Sequence, residues 1–198
     1  MKILLVLSIL FWSQAIIAKK KILIVGDSLT EGYGVAKDSA YPNQLQILID
    51  KNKMDYQVIN AGSSGSTSAS APNRLKWHMK SKPEILILAL GANDGLRGFE
   101  VSSTKENLGK AIDMALKNNV KVYLAGMKLP MNYGKKYRAQ FESIFTELQK
   151  EKKIKLIPFL LKDVGGVKDL NLADGIHPNE KGHKIIAKTV YQFIKKDL

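Results

Sequence analysis

The stretch Lys20-Lys21-Ile22-Leu23-Ile24-Val25-Gly26-Asp27-Ser28-Leu29-Thr30 decides how this chain folds. Four apolar residues, Ile22 to Val25, run without a polar break and stop at Gly-Asp-Ser. A half-exposed strand would alternate apolar with polar, so an unbroken run closed by a glycine reads as a strand covered on both faces. The chain then leaves the core at Gly26 and sets Ser28 just past the carboxyl end of a central strand. Open α/β sheets keep their ligands on that rim. Ser28 is therefore the first candidate for chemistry.

Outward from this strand, four more apolar runs follow. Tyr56 to Asn60 reads as a second strand, ended by Ala61-Gly62. Glu84 to Leu90 is the third, and its unbroken apolar core makes it central and parallel. Val120 to Ala125 and Ile154 to Ile157 are the fourth and fifth. Helical stretches lie between them. Pro42 opens one, with Leu45, Leu48 and Ile49 on one face. Ser63 to Ser70 is a loop running into another, near Leu75 and Trp77. Leu108, Ala111, Ile112, Ala115 and Leu116 follow helical spacing, as do Phe141, Ile144, Phe145 and Leu148. Phe159 to Pro178 is irregular, and a last helix carries Ile186, Val190 and Ile194, with Phe193 widening the same face. Every strand-to-strand connection is long enough for a right-handed crossover. The expected fold is α/β in three layers, with a five-stranded parallel sheet in the flavodoxin-like order 2-1-3-4-5.

The 198 residues, 45% hydrophobic and 25% charged, fit one ordinary domain. With no cysteine, a thiol nucleophile, a disulfide framework and a cysteine metal site are all excluded. The three histidines, His78, His177 and His183, lack the spacing of a helical zinc pair, so no metal is expected. The formal charge of +13 raises the question of nucleic acid. The lysines are scattered over helix faces, and no basic run interleaves with aromatics. Solvated faces, or peripheral attraction to an anionic membrane, explain the charge better than nucleic acid does. Residues 1–18 read as a signal peptide: Lys2, then the apolar run Ile3 to Trp12, then Ser13-Gln14-Ala15 and Ile16-Ile17-Ala18, each a possible cleavage site ending in a small residue. That run is shorter than a membrane-spanning helix needs, although an uncleaved anchor is the alternative. Residues 19–198 then form the domain.

Four distant stretches converge on the rim: Gly26-Asp27-Ser28, Asn60-Ala61-Gly62, Gly91-Ala92-Asn93-Asp94 and Asp174-Gly175-Ile176-His177-Pro178. Acyl transfer by serine needs an alcohol, a base and donors for an oxyanion. Ser28 supplies the alcohol. His177 is the best base, and Asp174, three residues earlier across a glycine, can reach back to orient the imidazole. The backbone N–H groups of Ser28 and Gly62, with the side-chain amide of Asn93, would hold the developing charge. Each residue alone has an ordinary reading: Ser28 as a helix cap, Gly62 and Asn93 as turn residues, His177 and Asp174 as loop residues. His183 is expected to be structural or at the surface, and His78 to lie on an exposed helix face. Position 30 is Thr, so the G-x-S-x-G elbow is absent, and no P-loop occurs.

These four blocks, in this order, resemble the SGNH (GDSL) hydrolase superfamily. Gly91-Ala92-Asn93-Asp94-Gly95-Leu96-Arg97-Gly98 and Leu129-Pro130-Met131-Asn132-Tyr133-Gly134 resemble its bacterial periplasmic acyl-thioesterase, arylesterase and lysophospholipase group. The resemblance implies Ser28 as nucleophile, Asp174 and His177 completing a triad, and Ser28, Gly62 and Asn93 as the oxyanion hole. It also implies no metal or organic cofactor. Asp27, Leu129, Pro130 and Tyr133 are the candidate substrate contacts. The expected activity is hydrolysis of esters, thioesters or lysophospholipids by an exported, monomeric serine esterase. A carbohydrate O-acetylesterase on the same triad, or a non-catalytic basic protein binding anionic surfaces, are the alternatives.

Overall fold

The first strand, β1 (Lys20–Gly26), fills the middle of the sheet, and Ile22, Leu23, Ile24 and Val25 are all fully buried, as an unbroken apolar run requires. The computed structural model describes residues 19–198, so the expected signal peptide lies outside the described residues. On one side of β1 lies β2 (Tyr56–Gly62), and on the other β3 (Ile85–Ala89). β4 (Lys121–Ala125) and β5 (Lys155–Ile157) extend the sheet beyond β3. All neighbours are parallel, and the order is β2-β1-β3-β4-β5, the expected one.

Helices cover both faces. After β1 comes a single turn, α1 (Ser28–Glu31), then α2 (Tyr41–Lys51). After β2 comes α3 (Ala71–His78), and after β3 come α4 (Ala92–Leu96) and α5 (Val101–Lys117). The chain closes through α6 (Lys135–Lys152) and α7 (Glu180–Ile194). α2 packs on α7, while α3 packs on α5 and α5 on α6, giving the two outer layers. Among the described residues no helix is long and apolar enough to cross a membrane.

The predicted apolar faces are buried, apart from a half-buried Leu48 and three exposed residues. Leu116 is 38% exposed and Phe193 is 39% exposed. At 100° per residue each sits roughly 60–80° from the centre of its helix's buried stripe, on the flank rather than the floor. Trp77 follows Leu75 by two residues, which turns it away from the core, and it is 65% exposed. β2 also runs two residues further than expected. Ala61 and Gly62 do not end it but pair with Val25 and Gly26. His183 is buried and structural: its Nδ1 accepts the backbone N–H of Tyr41 at 3.2 Å, capping α2 from α7.

Candidate active site

The register of the sheet aligns the strand ends. Gly26 stands opposite Gly62 on one side and Ala89 on the other, so three loops begin at one level. Gly26 is required by close approach. A Cβ there would lie 1.8 Å from Thr30 Oγ1, because α1 folds straight back over the strand end. Asp27 caps that turn, its Oδ1 accepting the N–H of Leu29 at 3.0 Å. Ser28 is the first residue of α1, and its own N–H has no acceptor among the described residues.

His177 reaches this serine from the far end of the chain. Its Nε2 lies 2.9 Å from Ser28 Oγ, and its Nδ1 lies 2.7 Å from Asp174 Oδ2. The other carboxylate oxygen of Asp174 accepts the N–H groups of Ile176 and His177 at 2.9 and 3.0 Å. The backbone N–H of His177 first, then its ring and the N–H of Ile176, hold the Asp174 carboxyl down at about 2. An ionised Asp174 only accepts, so Nδ1 carries the proton and Nε2 is left to accept from the Ser28 hydroxyl. The loop is fixed on both sides. Leu172 N–H donates to His177 O at 2.8 Å, and Asn179 caps α7 by accepting from Lys181 and Gly182. The Tyr33 ring lies against the imidazole, with centroids 4.5 Å apart.

The donor side differs from expectation at one residue. Asn93, in α4, is brought to the rim beside Ser28, and its Nδ2 donates to Ser66 O at 3.0 Å, leaving the second amide hydrogen for another acceptor. Gly62 is not free to do the same: its N–H donates to Asn60 Oδ1 at 2.9 Å. Its glycine identity has a packing cause, since a Cβ would lie 2.1 Å from Glu31 N. In the turn that follows, Gly65 has φ +74° and an N–H without an acceptor among the described residues. That turn is held between the serine's helix and the asparagine's. Ser64 donates its N–H and its hydroxyl to Glu31, and Asn93 holds Ser66.

Three buried or half-buried groups lock these loops together: Asp94 sits in a quoted motif but had no role of its own, and Arg74 and Asn171 did not stand out in the sequence. Asp94 is buried and accepts the N–H and hydroxyl of Ser68 at 2.8 and 2.5 Å. Arg74 in α3 donates to Gly26 O at 2.9 Å and also to Ala61 O. Asn171 donates to Val164 O and Val167 O, both at 2.8 Å, and so folds the irregular segment that leads to His177.

A cavity of about 510 Å³ opens beside Ser28 and His177. Leu29, Leu96, Met127, Leu129, Phe159 and Ile176 give it an apolar wall, with Pro130 and Lys128 towards the outside. Leu129 and Pro130 are thus where substrate contacts were expected. Asp27 and Tyr133 are not among the lining residues. Asp27 is 2% exposed beneath the turn, and Tyr133 donates its hydroxyl to Leu96 O at 2.8 Å behind the wall. Met127 could have been found from its place just past the end of β4. Phe159 lies in a segment without periodicity, which hides it. His78 is half-buried on α3, edge-on to Trp77, rather than fully exposed.

Comparison with known proteins gives the family. The GDSL-like Lipase/Acylhydrolase family model matches residues 24–185. Esterase TesA of Pseudomonas aeruginosa is 35% identical over 179 residues, covering 90% of this chain and 89% of its own. Thioesterase 1/protease 1/lysophospholipase L1 of Escherichia coli (strain K12) is 36% identical over 174 residues, covering 86% and 81%. A crystal structure of TesA superposes with a TM-score of 0.88 at 34% identity, covering 90% of this chain and all of that one. The chain belongs to the GDSL-like lipase/acylhydrolase family, and it is an ester-bond hydrolase.

Proposed function

We propose that Ser28 is the nucleophile of this serine esterase, with His177 as general base and Asp174 orienting it. The observation that carries the reading is the unbroken series Ser28 Oγ, His177 ring, Asp174 carboxylate at 2.9 and 2.7 Å. Ser28 Oγ attacks the acyl carbonyl as its proton passes to Nε2. The oxyanion is held by the Ser28 N–H and the free amide hydrogen of Asn93. Gly65 N–H replaces Gly62 as the third donor, because the Gly62 N–H is already engaged. The imidazolium then gives its proton to the departing alcohol or thiol, leaving an acyl-serine. Water, deprotonated by the same imidazole, releases the acid.

The cavity supports acyl chains rather than acetyl groups. Its apolar wall runs from Ser28 to Pro130 and would be left bare by a two-carbon acyl group. Carboxylic esters, acyl thioesters and lysophospholipids, the last two matching words in the name of the Escherichia coli relative, are the proposed substrates. The chain works as a monomer in the periplasm after loss of residues 1–18, and nucleic acid is not its partner. A panel of esters of increasing acyl length tests the reading. Wild-type kcat/KM should rise with chain length from acetate. Ser28→Ala should lose at least about 10⁴-fold in kcat, and Asn93→Ala about 10²–10³-fold with KM little changed. Activity should show an acidic limb, because only a neutral imidazole can accept the serine proton. Full turnover by Ser28→Ala, or a preference for acetylated sugars, would overturn it.

A further inference from the structure

Nine large apolar side chains are exposed among the described residues, and their distribution is uneven. Five are scattered singly: Ile47 on α2, Trp77 on α3, Phe99 in a loop, Leu116 on α5 and Phe193 on α7. The other four crowd the cavity mouth. Met131, 83% exposed, follows the lining residue Pro130, and Val167 follows the lining residue Gly166. Ile176 itself lines the mouth, and Tyr33 lies against His177. Isolated exposed apolar residues are normal, but a cluster around an opening marks an interaction surface.

The charge around this cluster specifies the partner. Residues 128–136 carry Lys128, Lys135 and Lys136 and no carboxylate. Across the mouth, Lys162 and Lys168 flank Val167, balanced by Asp163 and Asp169. None of these five lysines forms an ion pair among the described residues. We infer that the cavity mouth is a docking face for an anionic lipid surface. Met131, Val167, Ile176 and Tyr33 enter the headgroup region while the lysines meet the lipid phosphates. Docked this way, the cavity opens on the membrane, and a single-chain lipid reaches Ser28 without crossing water. This deepens the proposed function and rests on the cavity being the acyl site.

The test is sedimentation with vesicles of phosphatidylcholine alone and of equal phosphatidylcholine and phosphatidylglycerol, at low and high salt. Binding is read on the wild type and on Ser28→Ala, so that failure of the esterase reading leaves it interpretable. Wild type should bind the mixed vesicles, lose most binding at high salt, and ignore phosphatidylcholine. Met131→Asp with Val167→Asp should weaken partitioning at least roughly tenfold, and Lys135→Gln with Lys136→Gln about fivefold per lysine. Both pairs should keep full activity on a soluble short-chain ester. Ile47→Asp, and Lys51→Gln with Lys76→Gln, should bind as wild type. No binding to the mixed vesicles at low salt overturns the inference. So does unchanged binding by the Met131 and Val167 pair, or an equal loss from the distant lysines, since net charge alone would then hold the protein.

Discussion

At the scale of single residues, Asp27 has a cost that its neighbours do not. It is buried under the turn that presents Ser28, and burial pushes its carboxyl up to about 6. The N–H of Leu29 and the positive charges of His177 and Arg74 limit that rise. Between about pH 4 and 6 the unfolded chain has released this proton while the folded chain still holds it. The folded state therefore binds more protons there, and stability falls as pH rises through the window. Asp27→Asn keeps an oxygen to cap Leu29 but carries no charge. It should be about 2 kcal/mol more stable than wild type above pH 7, with the gap closing below pH 4. Urea melts of both proteins across that range check this. A gap that stayed constant with pH would mean that the carboxyl ionises as freely folded as unfolded. Asp174 behaves oppositely. Held near 2, it stays ionised as pH falls well below neutrality and keeps its hold on the imidazole.

Among the elements, α2 lacks a local cap, because Ala40 offers no side-chain acceptor. His183 supplies one from α7, 142 residues away. Burial, then the charge of His177, holds the His183 ring down at about 4. As pH falls from 6.5 to 4 the unfolded chain takes a proton that the folded chain refuses, so stability falls with it. The loss is on the order of 2–3 kcal/mol. His183→Gln, which can still accept from Tyr41, should start less stable but show a flatter acid slope between those pH values. An unchanged slope in thermal melts would place the acid sensitivity elsewhere. This contact could not be read from the sequence, because it exists only once α2 and α7 pack. Ser28, Asn93 and the Asp174–His177 loop were legible, because each follows a recognisable strand end or sits in a short motif. The position of Gly62 in its strand was misjudged for a small reason. Taking β2 to stop at Asn60 made Gly62 the first loop residue. Two more residues of strand move the loop on and leave Gly65 at its turn.

For the molecule as a whole, alternation of apolar runs with helical spacing was enough to order five strands, since parallel crossovers leave few topologies open. The clustering of Met131, Val167, Ile176 and Tyr33 was not visible, because they come from separate loops that only the sheet's rim gathers. The excess of 31 basic over 18 acidic residues likewise says nothing about where charge faces until the fold is known. The proposed export also bears on the entire chain. If residues 1–18 are removed as proposed, protein recovered from the periplasm should begin at Lys19, one residue before β1. Mass spectrometry of the exported protein checks this, and an intact Met1 would show instead that the segment is kept.

Arg74 has one more implication. Its guanidinium grips the carbonyls of Gly26 and Ala61, at the ends of two adjacent strands, and among the described residues it forms no ion pair within 4.0 Å. The hydroxyl-bearing turn and the turn around Gly65 are thereby yoked and must travel as a single rigid plate. A molecule that fits one but displaces the other pays for breaking that yoke, so shape at the carbonyl end is judged by both turns at once.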